Sequence, residues 1–191
     1  MAINIILLGA VIVLIAAGAA LVLLHVGQQP ASASSTTPTT PTTPTTVQSY
    51  QSGPYITQSQ AQTLMGAGVT QFVKVYNTSA EIATLQYRAN ITKVWLVIYN
   101  SPVNQSIMEF VIQFPSVQAA QTFYLNATDP FPSNVTIRGI QNGMDYAFMK
   151  NGLVSGETME GWKGNYVTWT DALKISINAS TLSSATASNL P

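Results

Sequence analysis

From Ile5 to Val26 the chain runs for 22 residues without a charge or a proline. At about 1.5 Å per residue a helix of that length spans the roughly 30 Å hydrocarbon core of a bilayer. The run therefore predicts a single transmembrane helix, a signal-anchor over residues 1–27 whose residues 5–26 have the lipid bilayer as their partner. Leu, Ile and Val dominate it, and Gly9, Ala10, Ala16, Ala17, Gly18, Ala19 and Ala20 supply small side chains that let another helix approach. His25 stands at its end, where a polar tip reaches interfacial water. A cleavable signal peptide is the rival reading, with Ala31-Ser32-Ala33 as the small-residue cleavage site. The run is, however, longer than the roughly 7–15 apolar residues of such peptides, and no Lys or Arg precedes it. Orientation cannot come from flanking charge, because the first charged residue of any kind is Lys74.

Residues past the run supply the direction. Residues 28–54 contain Thr-Thr-Pro three times in succession, ending at Pro38, Pro41 and Pro44. Proline at every third position favours an extended polyproline-type chain, and the packed hydroxyls match an O-glycosylated stalk. At about 3.1 Å per residue such a linker holds the next domain on the order of 75 Å from the bilayer. Beyond it lie six Asn-X-Ser/Thr triplets, at Asn77, Asn90, Asn104, Asn126, Asn134 and Asn178, where roughly two are expected by chance. N-glycosylation takes place on the far side of a membrane, so the sequons predict a cell-membrane protein with its C-terminal domain, residues 55–191, outside.

Composition removes most chemistry from that domain. With seven acidic and seven basic residues in 191, no basic excess calls for nucleic acid or an anionic surface. There is no cysteine, and the one histidine is His25. Disulfides, thiolate nucleophiles, histidine metal clusters and a Ser-His-Asp triad are therefore ruled out in the domain. No Gly-rich phosphate loop is present, since Gly66, Gly68, Gly161 and Gly164 lack the strand-loop-helix setting. The expectation is no catalytic, metal or cofactor site. Glu157 and Glu160, with Asp145 and Asp171, are the one set that could furnish a glycosidase acid and base, yet they fall in a turn-rich stretch where solvated loop charges are ordinary. Trp162, Tyr166 and Trp169 are candidate binding aromatics for sugar or another subunit, set against the commoner role of strand aromatics as core.

The pattern reads as α+β: after the transmembrane helix, an antiparallel sheet with two short helices packed on it. Thr57-Gln58-Ser59-Gln60 has the form of a capping box, with Ala61, Leu64 and Met65 on one face and Gly66 as the stop. A second helix opens at Pro115-Ser116 and carries Val117, Ala120, Phe123, Tyr124 and Ala127 at helical spacing. Strands are expected at 72–76, 94–99, 108–114, 135–140, 145–150, 166–170 and 173–177. Turns are expected at 100–104, at Asn151-Gly152 and at Lys163-Gly164-Asn165.

The chain bears two resemblances. Its cysteine-free composition, Thr-Pro stalk and dense sequons resemble surface proteins of thermoacidophilic archaea such as the Sulfolobales, whose pilins and other surface proteins carry an N-terminal apolar helix and many glycans. A pilin-like filament subunit is thereby an alternative, although Pro30 stops the helix and no charged processing site comes before it. The stretches Ile56 to Gly66, Phe114 to Tyr124 and Lys163 to Val167 are similar to those of extracytoplasmic α+β sensor or lipoprotein domains of actinobacteria. That likeness implies two helices on an antiparallel sheet, with many members carrying a disulfide that this chain lacks. The expected role is a non-enzymatic, glycosylated surface protein serving structure, adhesion or interaction with other membrane or envelope proteins. The alternative is a sensor or ligand-binding domain working with a membrane partner.

Overall fold

A computed structural model describes residues 52–66, 68–85, 90–128, 136–149 and 156–191. The expected transmembrane segment, residues 28–51 of the expected linker, Asn134 and the expected Asn151-Gly152 turn lie outside these residues. Among the described residues no helix is long and apolar enough to cross a membrane.

The elements from Ser52 onward are α1 (Gln58–Met65), β1 (Thr70–Tyr76), α2 (Ser79–Ala83), β2 (Lys93–Asn100), β3 (Ser106–Gln113), α3 (Val117–Thr128), β4 (Thr136–Gln141), β5 (Met144–Met149), β6 (Gly156–Lys163), β7 (Tyr166–Leu173) and α4 (Ala179–Ala187). All strand neighbours are antiparallel in one seven-stranded sheet of order β1-β2-β3-β7-β6-β5-β4. Three tight turns build it. Asn104 in the β2–β3 turn takes a left-handed φ of 63°. Asn142 and Gly143 join β4 to β5 with φ 49° and 77°, the pair of positive angles that a two-residue primed turn needs. Gly164 at φ 57° opens the β6–β7 hairpin where the sequence signals a turn.

The strands β2 and β3 are buried on both faces, as their apolar runs require. One face carries Trp95, Val97, Tyr99, Ile107, Val111, Phe148, Met159 and Ala172, and it is covered by α1 and α4 through Ile56, Ala61, Met65, Ile177, Leu182 and Leu190. The other face carries Leu96, Ile98, Met108 and Phe110, and α3 packs on its β6–β7 side with Phe114 and Phe123 rings 5.1 Å apart. The two helices expected from sequence therefore lie on opposite faces, and α2 and α4 join them.

Both helices of the first face are held by the same arrangement. The capping box of α1 forms as its sequence predicts, with Thr57 accepting from Gln60 N–H and Gln60 reaching back. The residue before that cap, Ile56, is buried, and its N–H donates to Oε2 of Glu109 at 2.8 Å. Its carbonyl accepts the hydroxyl of Tyr99. In α4 the cap is Asn178, which accepts Thr181 N–H at 2.8 Å. The residue before it, Ile177, is buried and donates its N–H to Oε2 of Glu157 at 2.6 Å. In each case the isoleucine and the residue five positions on, Ala61 or Leu182, share one apolar cluster, the arrangement of a hydrophobic staple. Lys163 holds the far end of α4 by donating to the carbonyls of Ala187 and Leu190.

Two strand assignments change. Gly156–Lys163, expected as a turn-rich loop, is the strand β6, because Glu157 finds distant partners in Ser176 and Ile177 and Glu160 is covered, neither of which any local pattern reveals. Residues 166–177, expected as two strands, form one strand to Leu173, after which Lys174 at φ 56° turns the chain out of the sheet. Replacing Glu157 with Ala leaves the buried Ile177 N–H without its acceptor. Chemical denaturation should show a loss of about 2 kcal/mol, and a loss below about 0.5 kcal/mol would show that the carboxylate does not hold α4.

Candidate functional site

Strand alternation sorts the acids. Register places Glu109, Glu157 and Tyr166 on the face covered by α1 and α4, and Asp145, Glu160, Trp162, Trp169 and Asp171 on the face covered by α3. Glu157 and Glu160, which the sequence offered as the one set that could furnish an acid and a base, thus point to opposite sides of the sheet and cannot flank one glycosidic bond. They are not solvated loop charges either. Glu109, Glu157, Glu160 and Asp171 are all buried, and Asp145 is half-buried. The aromatic trio also divides. Tyr166 lies 6.4 Å from the ring of Trp95 on one face, while Trp162 lies 6.2 Å from Tyr124 on the other. Trp162 and Trp169 direct their indole N–H groups to the Gly164 carbonyl at 2.7 Å and to Asp171 Oδ2 at 3.1 Å. All three are half-buried.

The α3 face gathers a carboxyl cluster that sequence reading did not assemble. Asp171 accepts from Thr158 at 2.7 Å and from Trp169, and Tyr124 on α3 donates to Asp145 at 3.1 Å. Between them stands Glu160, only 1% exposed, with neither oxygen meeting a donor among the described residues. Burial pushes its carboxyl up to about 8; the guanidinium of Arg138 pulls it down and the carboxyl of Asp171 pushes it up. Arg138 reaches that field because one row of the sheet runs Glu160, Ala147, Arg138, and alanine leaves the space between them low. Burial likewise raises Asp171, against the hydrogen bonds of Thr158 and Trp169. Tyr124 is raised by burial and by Asp145. On the other face burial pushes Glu109 up to about 8, against the Ile56 and Thr168 hydrogen bonds.

Chemically, Glu109 and Glu160 are enclosed acids that are neutral at pH 7. A carboxyl that ionises only above neutral pH, deep under a helix, is a hydrogen-bonding group of the core before it is a base. Among the described residues no three His, Cys, Asp or Glu side chains are grouped so as to hold a metal ion. A hollow of about 430 Å³ does open between the end of α1, the start of β1 and the β2–β3 turn. Gln62, Val69, Thr70, Asn100 and Pro102 line it, and no titratable group does. The sequons behave differently from the acids. Asn77 follows β1, Asn90 precedes β2, Asn104 forms the β2–β3 turn, Asn126 is on α3 and Asn178 caps α4; all five are exposed. Asn134 lies outside the described residues.

No protein-family model matches the chain, and no curated protein matches it. Among solved structures it is similar to the extracellular domain of PknH from Mycobacterium tuberculosis, with a TM-score of 0.50 and 13% identity, covering 72% of this chain and 91% of that one. At that identity the likeness is one of fold: a single antiparallel sheet with helices packed against it.

The raised acids set a direction for pH dependence. Above about 4.5 the unfolded chain has lost the Glu109 and Glu160 protons, while the folded chain keeps them up to about 8. Stability should therefore fall as pH rises through this window, at roughly 1.4 kcal/mol per unit for each retained proton. Thermal unfolding midpoints at pH 4.5 and pH 8 measure it, with the lower pH the more stable. Glu160→Gln should flatten part of the slope, and a wild-type profile that is level or rises with pH would contradict the burial argument.

Proposed function

We propose that this chain is a membrane-anchored, glycosylated surface protein, held by residues 5–26 and carrying its α+β domain outside on an extended Thr/Pro linker. Its role is non-enzymatic: envelope structure, adhesion or interaction. The observation that carries the reading is the placement of the sequons. Five asparagines scattered over about 100 residues of sequence all stand exposed at strand ends, turns or on a helix, where a bulky glycan meets no packed neighbour. The core contrasts with them, since its acids are enclosed and two of them, Glu109 and Glu157, hold helices to the sheet. The absence of cysteine, and of histidine beyond His25, supports a role without covalent or metal chemistry. A second reading, an external sensor delivering a signal to a membrane partner, is favoured by the fold likeness to an extracellular domain named for a mycobacterial kinase.

Intact mass of the full chain extracted from its native membrane, before and after enzymatic or chemical removal of glycans, tests the first reading. The expected result is a mass well above that of the 20.4 kDa polypeptide, falling toward it on treatment. A bare polypeptide mass would overturn the glycoprotein reading, and a mature N-terminus near Ser34 would overturn the anchor. Asn178 separates its two roles: Asn178→Asp keeps the oxygen that caps α4, and Asn178→Ala does not. Both should lose one glycan, while only the alanine variant should lose about 1 kcal/mol of stability.

A further inference from the structure

The strand β4 ends the sheet, so its outer row of main-chain N–H and C=O groups faces no strand among the described residues. Such a row is a template for another strand, and proteins usually blunt it with charged side chains, above all lysine, or with proline, a bulge or brevity. Thr136–Gln141 carries a single charge, Arg138, with no lysine and no proline, and it pairs with Met144–Met149 residue for residue, without a bulge. It also displays Ile137 at 52% and Ile140 at 77% exposure, on opposite faces of the sheet. The other edge differs: β1 carries an exposed lysine, Lys74, over the ring of Tyr76 at 4.6 Å.

We infer that β4 is a docking edge for a second copy of this chain, which adds its own β4 antiparallel across a two-fold axis to continue the sheet. A two-fold normal to the sheet preserves its faces, so a residue can sit opposite only a residue of the same face. Centres on Ile137 and Ile140 pair only three residues of the six-residue strand, while centres on Arg138 and Gly139 pair five. One on Arg138 opposes two guanidiniums. The remaining choice, a centre on Gly139, pairs Ile137 through Gln141 and sets Arg138 opposite Ile140 of the other copy.

The local chemistry favours that register. Arg138 stands on the same cross-strand row as Glu160, one residue beyond Ala147, and in this register its aliphatic stem faces the isoleucine of the other copy. Gly139 is bare because a Cβ there would meet the Tyr146 ring and hydroxyl at 2.8–3.0 Å, and a glycine at the centre lets two backbones approach closely. A net charge of zero adds no repulsion between copies. The pairing goes beyond the surface-protein reading and needs neither anchor nor glycan.

The absence of cysteine makes the test direct. Two tagged full-length chains, one Arg138→Cys and one Ile140→Cys, are co-expressed and the membranes oxidised with copper phenanthroline. A disulfide-linked mixed dimer is expected, and Phe72→Cys on the β1 edge should give none. In sedimentation of the full chain in detergent, wild type should show a dimer and Ile140→Lys a monomer. Because Ile140 is exposed, the lysine variant should retain the wild-type circular dichroism, which separates lost pairing from lost folding. A wild-type chain that stays monomeric across concentration, an unchanged dimer in Ile140→Lys, or equal cross-linking through Phe72→Cys would each overturn the pairing, and none of these outcomes bears on glycan mass.

Discussion

Two glutamate side chains projecting from the sheet into its helical cover hold this fold together. Glu109 and Glu157 each accept the N–H of an isoleucine that stands immediately before a helix cap. The partners are distant in sequence, 53 and 20 residues away, so each bond fixes the start of a helix over a strand remote from it along the chain. An acid inside a core is costly unless its oxygens are occupied. Here the main chain at a helix start supplies the donor, which is itself a group in need of an acceptor. Tyr99 completes the arrangement at Ile56 by meeting the carbonyl of the same residue.

That device explains which parts of the fold were legible from sequence. Strands β2 and β3, the capping box of α1, the helix after Pro115-Ser116 and the turn at Lys163-Gly164-Asn165 are all written in short-range terms: apolar runs, cap residues and a glycine at positive φ. Strand β6 was not, because Gly156-Glu157-Thr158-Met159-Glu160-Gly161 has the glycines and charges of a loop. Only the distant Ile177 amide, Ser176 hydroxyl and the cover of α3 make those acids tolerable in a strand. Helix α4 was hidden for a related reason. Ala179–Ala187 is mostly alanine, serine and threonine, its apolar face is narrow, and its cap, Asn178, carries a second signal as a sequon.

The candidate site divided in the same way. The spacing of three between Tyr166 and Trp169 already places them on opposite faces of any single strand, a signal that grouping the aromatics by proximity overlooks. The carboxyl cluster could not be read in advance, because Asp145, Glu160 and Asp171 come together through the register of three strands and Tyr124 arrives from a helix on another part of the chain. Asn77, Asn104 and Asn178, by contrast, are exposed for backbone reasons alone, since turn and cap residues lie at the surface.

The clasp at Ile56 has a mechanical side. The chain reaches the domain through Ser52–Pro54, and within two residues both peptide groups of Ile56 are gripped by Glu109 and Tyr99. Those side chains stand on β3 and β2, strands bonded to neighbours on both sides. Tension applied at Ser52 therefore arrives at interior strands and is shared across two ladders, instead of peeling an edge strand one hydrogen bond at a time. At the other terminus Lys163 ties Leu190 to the end of β6, so the last turn of chain is fastened to the interior as well.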